Sequence, residues 1–355
     1  MADQPTTLVG HGASQLASVK IDTYNEELRD AEGFIGDRAS KRAFQAIMDD
    51  WRERLRQVGD DPLGDISTNE IGKKKLDKLL VDGDAEAAGL IHGAIEDFAQ
   101  ELAGVIRRFL RLKSWKGTQC IVIGGGLRAS RVGELAIGRA GVLLKAENGH
   151  ELELRPIRHH PDEAGLIGAI HLAPAWIFSG HDSILSVDMG GTNMRAGVVE
   201  LNLKKAPNLA DAHVMDFDLW RHREDKPTRD QAVERLGQML HDLIRRAEKK
   251  GHKLAPFIGI GCPGIIESDG TIKRGGQNLP GKWESSRFNL PDRVRTLIPD
   301  IGGHETLVVL HNDAVVQGLS EIPFMTGVEH WGVLTIGTGL GNGRFSSRGG
   351  SPATK

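Results

Sequence analysis

Residues 183–201 read SILSVDMGGTNMRAGVVEL: an apolar run ending at the carboxylate Asp188, a break at Gly190-Gly191, and a second apolar run from Met194. The pattern predicts strand, glycine turn, strand. Glycines let backbone N–H groups approach phosphate oxygens, and the Thr192 hydroxyl adds a donor. Asp188 at the strand end can hold Mg²⁺ directly or through a water. A plain hairpin would need the glycines but not Asp188, Thr192, Asn193 and Arg195 around them. A second apolar run, WGVLTIGTGLG (331–341), breaks at Gly337-Thr338-Gly339. Leu185–Asn193 and Leu334–Asn342 therefore echo one another, which suggests two similar lobes, each with a phosphate clamp.

Further strands surround these two. QCIVIGGGLRAS (119–130) runs from strand through Gly124, Gly125 and Gly126 into helix. ELELRPI (151–157), APFIGIGCPG (255–264) and TLVVLHND (306–313) are apolar runs ending in glycine or a polar turn. Between them lie segments of helical period. Phe44, Ile47, Met48, Trp51, Leu55 and Val58 mark one face of a helix over Arg38–Val58 with Asp37 as its N-cap. A long apolar face runs from Asp84 to about Leu112, and Val233, Leu236, Met239, Leu240, Leu243 and Ile244 form a stripe over Thr228–Lys250. Ala164, Ile167 and Leu172 suit a short packed helix ended by Pro174. Strands alternating with helices give an α/β fold with buried sheets. Lys73, Lys74 and Lys75 read as a solvated helix end. Residues 1–20 and 349–355 are polar and unpatterned, and are expected to fray.

Composition narrows the function. The 355 residues suggest about two domains at ~150 residues each. Hydrophobic residues at 39% and charged residues at 26% describe an ordinary globular chain. Lys plus Arg (45) against Asp plus Glu (48) gives a net charge of −3 and no global drive toward nucleic acid or an anionic membrane. No signal-peptide pattern is present, the longest apolar stretch (164–178) is interrupted by His171 and Pro174, and the two cysteines form no disulfide framework, so a cytoplasmic protein is expected.

Four competing readings fail. Gly259–Gly264 spells a dinucleotide fingerprint with Glu284 beyond it, but the following IIESDGTIKRG reads as a hairpin where a helix is required. Gly124–Gly126 goes from strand to helix, yet no acidic residue closes the next strand. A Walker A sequence is absent. His159, His160 and Asp162 are poor metal ligands because adjacent histidines point apart. At the end of TLVVL, Asp313 can accept a proton from a hydroxyl attacking a γ-phosphoryl group and Asn312 can hydrogen-bond a neighbouring hydroxyl; the position suits a helix N-cap equally.

Taken together these segments resemble the ROK family of bacterial sugar kinases and related repressors, in the actin-like and hexokinase-like ATPase superfamily. VDMGGTNMRAG is similar to the family's first phosphate motif, GIGCPGIIESDGTIKRGGQNLPGKW to its sugar-side loop, HNDA to the segment bearing its catalytic Asp, and LTIGTGLG to its second phosphate motif. CIVIGGG followed by DEAGLIGAI resembles its adenosine motif and closing helix. The order differs from the family's. The adenosine-like segment precedes Asp188, as in a circular permutation joined near residues 176–183, and the resemblance spans about residues 33–344.

The resemblance implies two actin-like, ribonuclease H-like lobes: 1–165 with the adenosine-like motif, 166–330 with the first phosphate motif and the catalytic Asp, and 331–355 returning to the first lobe. It implies an ATP-dependent kinase, glucokinase-like in chemistry, acting on a sugar or polyol. Asp313 would be the base. Asp188 would position Mg²⁺, and Gly190, Gly191, Thr192, Asn193, Arg195, Gly337, Thr338 and Gly339 would hold the phosphates, with Gly124, Gly125 and Gly126 on the adenosine. Pro263, Gly264, Asn278 and Asn312 would line the acceptor pocket. The family's cysteine-rich zinc motif is missing, with Phe34 at one ligand position, so no structural zinc is expected. Its Glu-x-Gly-His stretch has no counterpart, and Gly36 stands where a sugar-binding Glu would be. Asp37, Arg38, Lys41 and Arg42 are candidate replacements. The rival reading is a non-catalytic sugar- or nucleotide-binding regulator of the same fold. Residues 1–36 show neither a pair of amphipathic helices nor a basic cluster, so direct DNA binding is not expected; homo-oligomerisation is left open.

Overall fold

The computed structural model describes residues 10–148 and 152–348. It begins with β1 (Val19–Tyr24), a small hairpin of β2 (Arg29–Asp30) and β3 (Gly33–Phe34), and α1 (Lys41–Gln57). There follow α2 (Lys73–Asp82), α3 (Ala85–Leu110), β4 (Cys120–Gly124), α4 (Arg131–Asn148), β5 (Glu153–Pro156) and α5 (Ala164–Gly168). Next come β6 (Ser183–Met189), β7 (Met194–Glu200), β8 (His213–Trp220), α6 (His222–Asp225), α7 (Arg229–Lys249) and β9 (Leu254–Cys262). A hairpin of β10 (Ile265–Ile266) and β11 (Ile272–Arg274) leads to α8 (Leu290–Leu297) and a hairpin of β12 (Asp300–Ile301) and β13 (His304–Glu305). The last elements are β14 (Leu307–Asn312), α9 (Asp313–Leu319), β15 (His330–Ile336) and β16 (Leu340–Ser347).

The chain divides into two compact units. The first holds residues up to Asn25, Arg158–Glu329 and the chain from Gly343; the second holds Glu26–Ile157 and His330–Asn342. These bounds differ from 1–165, 166–330 and 331–355. Residues 10–25, of which 10–20 were expected from sequence to fray, belong to the first unit because β1 pairs antiparallel with β16 from Val19↔Ser347 to Tyr24↔Gly343. The Gly12 N–H also donates to the Leu310 carbonyl at 2.9 Å. Residues 158–165 join the same unit: the Arg158 N–H donates to Glu321 Oε1 at 2.7 Å. The expected fraying of residues 1–9 and 349–355 lies outside the described residues.

In the first unit the sheet order is β14-β9-β6-β7-β8. β6, β7 and β8 form an antiparallel meander, while β9 and β14 run parallel to β6 on its other side. Three antiparallel strands followed by two parallel ones is the ribonuclease H-like arrangement. β6 is buried along its whole length, Ser183, Ser186 and Asp188 included, as in a strand covered on both faces. α7 lays Val233, Leu236, Met239, Leu240 and Leu243 into the core, and a capping box of Thr228 and Gln231 starts it.

In the second unit β15, β4 and β5 are parallel neighbours. α3 buries Leu90, Ile91, Phe98, Leu102, Ile106 and Phe109 in the same core as Ile121, Ile123, Leu334 and Ile336, with Asp84 accepting from the N–H groups of Glu86 and Ala87. α1 starts later than expected: Ser40, not Asp37, accepts from the Ala43 N–H, and residues 35–39 are a 3₁₀ turn. Arg52, fully buried, holds the loop that follows, pairing with Asp61 and donating to Thr68 Oγ1, Gly64 O and Ile66 O.

Close helix crossing in the first unit depends on a missing side chain. A Cβ at Gly168 would lie 1.7 Å from the Val316 carbonyl oxygen. Gly168→Ala is expected to lower stability by about 2–3 kcal/mol. Gly138→Ala, at an exposed position in α4 with open space around it, is expected to raise stability by about 0.5–1 kcal/mol. Urea denaturation of both variants checks the pair.

Candidate functional site

Three parallel strands of the first unit end side by side. Asp188 of β6 and His311 of β14 both register with Gly261 of β9, so one row across the sheet carries all three residues. Beyond that row the chain leaves as the Gly190–Asn193 turn after β6, as Pro263-Gly264 after β9, and as α9 after β14. Ligands in open α/β sheets collect at such carboxyl ends. The Gly190 N–H donates to the Asn193 carbonyl at 2.8 Å, closing the turn. Asn312 caps α9, accepting from the Val315 N–H at 3.1 Å, while its Nδ2 donates to the Gly264 carbonyl at 3.0 Å. Asp313 is the first helical residue, so the cap and the candidate base are two adjacent residues with separate tasks.

Small residues make this convergence possible. A Cβ at Gly165 would sit 2.7 Å from Asp188 Cγ, one at Gly259 2.8 Å from the Ala169 carbonyl, and one at Gly261 3.5 Å from Asp313 Cα. The Gly259-x-Gly261 spacing thus serves packing, and the β10–β11 hairpin follows it, where a dinucleotide site needs a helix. A Cβ at Gly191 would meet that of exposed Asn278 at 2.8 Å, which brings Asn278 to the phosphate turn.

Two buried carboxyls share the site. Burial raises the pKa of Asp188, offset by the Arg195 guanidinium, whose Nη1 lies 3.2 Å from Asp188 Oδ2. Burial and the nearby Asp188 charge push Asp313 up to about 7. Arg195, expected from sequence beside the phosphates, also binds Asp162 Oδ1 at 2.6 Å and is thus tied between two carboxylates. Asp162, considered above beside His159 and His160 for a metal, serves this ion pair.

The second unit carries the other candidate residues. β4 and β15 pair in parallel up to Gly124↔Thr335, so the Gly124–Gly126 and Gly337–Gly339 turns leave the same sheet edge. Gly125 has φ +85°, and a Cβ there would fall 2.3 Å from the Ile336 carbonyl. The Gly337 N–H donates to the Gly339 carbonyl at 2.9 Å, and the Lys41 N–H donates to the Gly337 carbonyl at 3.0 Å. Lys73 Nζ donates to the Gly126 carbonyl, placing the first of the three lysines on the turn. Arg38, a candidate substrate contact, is instead paired with Asp30 and Glu32.

Sequence reasoning missed the residues that hold the turns from behind. His222, between β8 and α7, hydrogen-bonds the Gly190 carbonyl; nothing in the stretch HRED marks it. Tyr24, the single tyrosine, both donates to and accepts from the Ile266 backbone, and lies edge-on to the His311 ring.

Comparison with known proteins places the first unit's sheet. Residues 184–348 match the model of the ROK family. This segment is similar to the ROK family. Glucokinase of Thermotoga maritima is 31% identical over 167 residues, 45% of this chain and 43% of its own length. N-acetyl-D-glucosamine kinase of Yersinia enterocolitica is 32% identical over 166 residues, 44% of each chain. The chain thus spans less than half the length of the curated relatives it matches. Among solved structures, the ROK family glucokinase from Streptomyces griseus in complex with glucose and AMPPNP is 24% identical, covers 48% of this chain and 47% of its own, and has a TM-score of 0.35. The ROK segment contains Asp188, the glycine turns at 190 and 337, and Asp313; the Gly124–Gly126 turn lies outside it.

The Asp313 shift sets a stability signature. An Asp raised from 3.8 to about 7 stabilises the folded state fully below pH 3.8, and that contribution is lost as pH rises through about 7. Asp313→Asn removes the ionisable group. Its thermal midpoint minus that of wild type is expected to grow by a few degrees from pH 4 to pH 8. A difference flat across that range would contradict the shift.

Proposed function

We propose that the protein transfers the γ-phosphoryl group of ATP to a hydroxyl of a sugar or sugar-like polyol. The observation that carries this reading is the common edge of β6, β9 and β14, where a glycine turn suited to phosphate leaves β6 and a carboxyl poised near neutrality leaves β14, with only β9 between them. Phosphoryl transfer needs positioning and charge stabilisation more than covalent chemistry. Sugar-kinase relatives of the ROK segment support the same class of reaction.

In this mechanism Asp313 takes the proton of the acceptor hydroxyl as its oxygen bonds to the γ-phosphorus and the bond to the β–γ bridging oxygen breaks, releasing ADP. A carboxyl titrating near 7 is available as base while remaining basic enough to accept that proton. Asn312 fixes the Gly264 carbonyl and so shapes the acceptor side with Pro263. Gly190, Gly191, Thr192 and Asn193 offer donors to phosphate oxygens, and Gly337, Thr338 and Gly339 are the corresponding turn in the second unit, with Gly124–Gly126 for the adenosine. Asn278 lies against Gly191 and joins the two sides. Buried Asp188, a hard oxygen donor beside the turn, fits a magnesium ion held directly or through water. That ion would neutralise polyphosphate charge. Arg195 and Asp162 hold the Asp188 carboxylate in place. The adenosine-like turn preceding β6 in the chain supports a circular permutation of the family order.

A coupled ADP-release assay with MgATP across hexoses, amino sugars and polyols tests the proposal. Acceptor-dependent release is expected, reduced about 10²–10⁴-fold in turnover by Asp313→Asn with ATP affinity retained. Acceptor-independent silence with measurable ATP binding would point to the non-catalytic regulator instead.

A further inference from the structure

The Gly190–Asn193 turn is fastened from behind by the segment between β8 and α7. His222 is 2% exposed, and its Nε2 lies 2.8 Å from the Gly190 carbonyl oxygen. A carbonyl only accepts, so Nε2 carries the proton and donates. Burial lowers the His222 pKa, leaving the imidazole neutral with its one N–H committed to Gly190. One residue on, the Arg223 N–H donates to the Thr192 carbonyl at 3.3 Å. The segment itself is closed: Trp220 Nε1 donates to Asp225 Oδ2 at 2.6 Å, the Trp220 ring packs edge-on to His222 at 5.9 Å, and Lys226 ends α6 at φ +47°.

A trans peptide is planar, with its C=O and the following N–H pointing in opposite directions. Anchoring the Gly190 carbonyl on His222 therefore aims the Gly191 N–H the other way, and anchoring the Thr192 carbonyl on Arg223 does the same for the Asn193 N–H. We propose that His222 is a positioning residue that orients the Gly191 amide toward the nucleotide phosphates. Gly191 has no side chain to restrain its peptide planes, so the restraint comes from this hydrogen bond. The inference rests on the proposed nucleotide site.

His222→Ala and His222→Gln test it, since a Gln amide can reach the same carbonyl. His222→Ala is expected to raise KM for MgATP about tenfold, the worth of one oriented hydrogen bond, with acceptor KM little changed. His222→Gln is expected to restore most of that loss. Unchanged nucleotide KM in His222→Ala, or equal loss in both variants, would overturn the proposal. The ¹⁵N–¹H signal of Gly191 in the protein without nucleotide gives a second readout that does not depend on catalysis. It should shift and exchange faster in His222→Ala and return toward wild type in His222→Gln; no movement overturns the positioning role even where the kinase reading holds. A wild-type protein silent in ADP release but with the amide response intact separates failure of the proposed activity from failure of this inference.

Discussion

Everything at the candidate site depends on three parallel strands ending in one register row. Asp188, Gly261 and His311 lie side by side, so a carboxyl, a position without a side chain beneath α9 and the cap of that helix emerge within a few residues of each other. Backbone pairing alone would not allow this, because the layer above the strand ends must come within contact distance. Gly165 over Asp188, Gly168 over Val316, and Gly259 and Gly261 beneath Ala169 and Asp313 remove the Cβ atoms that would keep the layers apart. The glycines thus have two distinct uses, bending the chain at turns and thinning the packing between layers.

The same closeness creates the electrostatics. Asp188 and Asp313 are both drawn into poorly hydrated surroundings, where burial raises the proton affinity of each and the Asp188 charge raises that of Asp313 further. Arg195 offsets the effect at Asp188 but lies on the Asp162 side of it, so Asp313 keeps a pKa near neutrality. One residue titrating near 7 beside another whose burial is offset by an arginine is the division expected of a base and a ligand site. His311 is different: burial lowers it to about 4, and it stays neutral, joining the Ala13 carbonyl to the Asn312 N–H.

Much of this was legible in the chain. Unbroken apolar runs marked β6, β9, β14 and β15, and the Asp and Gly residues at their ends marked the turns, because a strand buried on both faces must be apolar until it leaves the sheet. The capping residues Asp84 and Thr228 were readable for the same local reason. Residues 10–25 were not, since only Val19 and Ile21 alternate inward on β1 and the rest of this polar segment is held by backbone hydrogen bonds. Arg195 was readable as a phosphate ligand only while Asp162 was out of view; a partner 33 positions away is a matter of topology. His222 and Tyr24 act on backbone carbonyls, and such contacts leave no motif.

The central claim is that Asp188 and Asp313 occupy one electrostatic site at the edge of the ribonuclease H-like sheet. A ¹³C-carboxyl titration of Asp313 by NMR, in wild type and in Asp188→Asn, tests it directly. The account predicts a midpoint near 7 in wild type that falls toward the ordinary Asp range when the Asp188 charge is removed. A wild-type midpoint near 4, or one unmoved by Asp188→Asn, would contradict it.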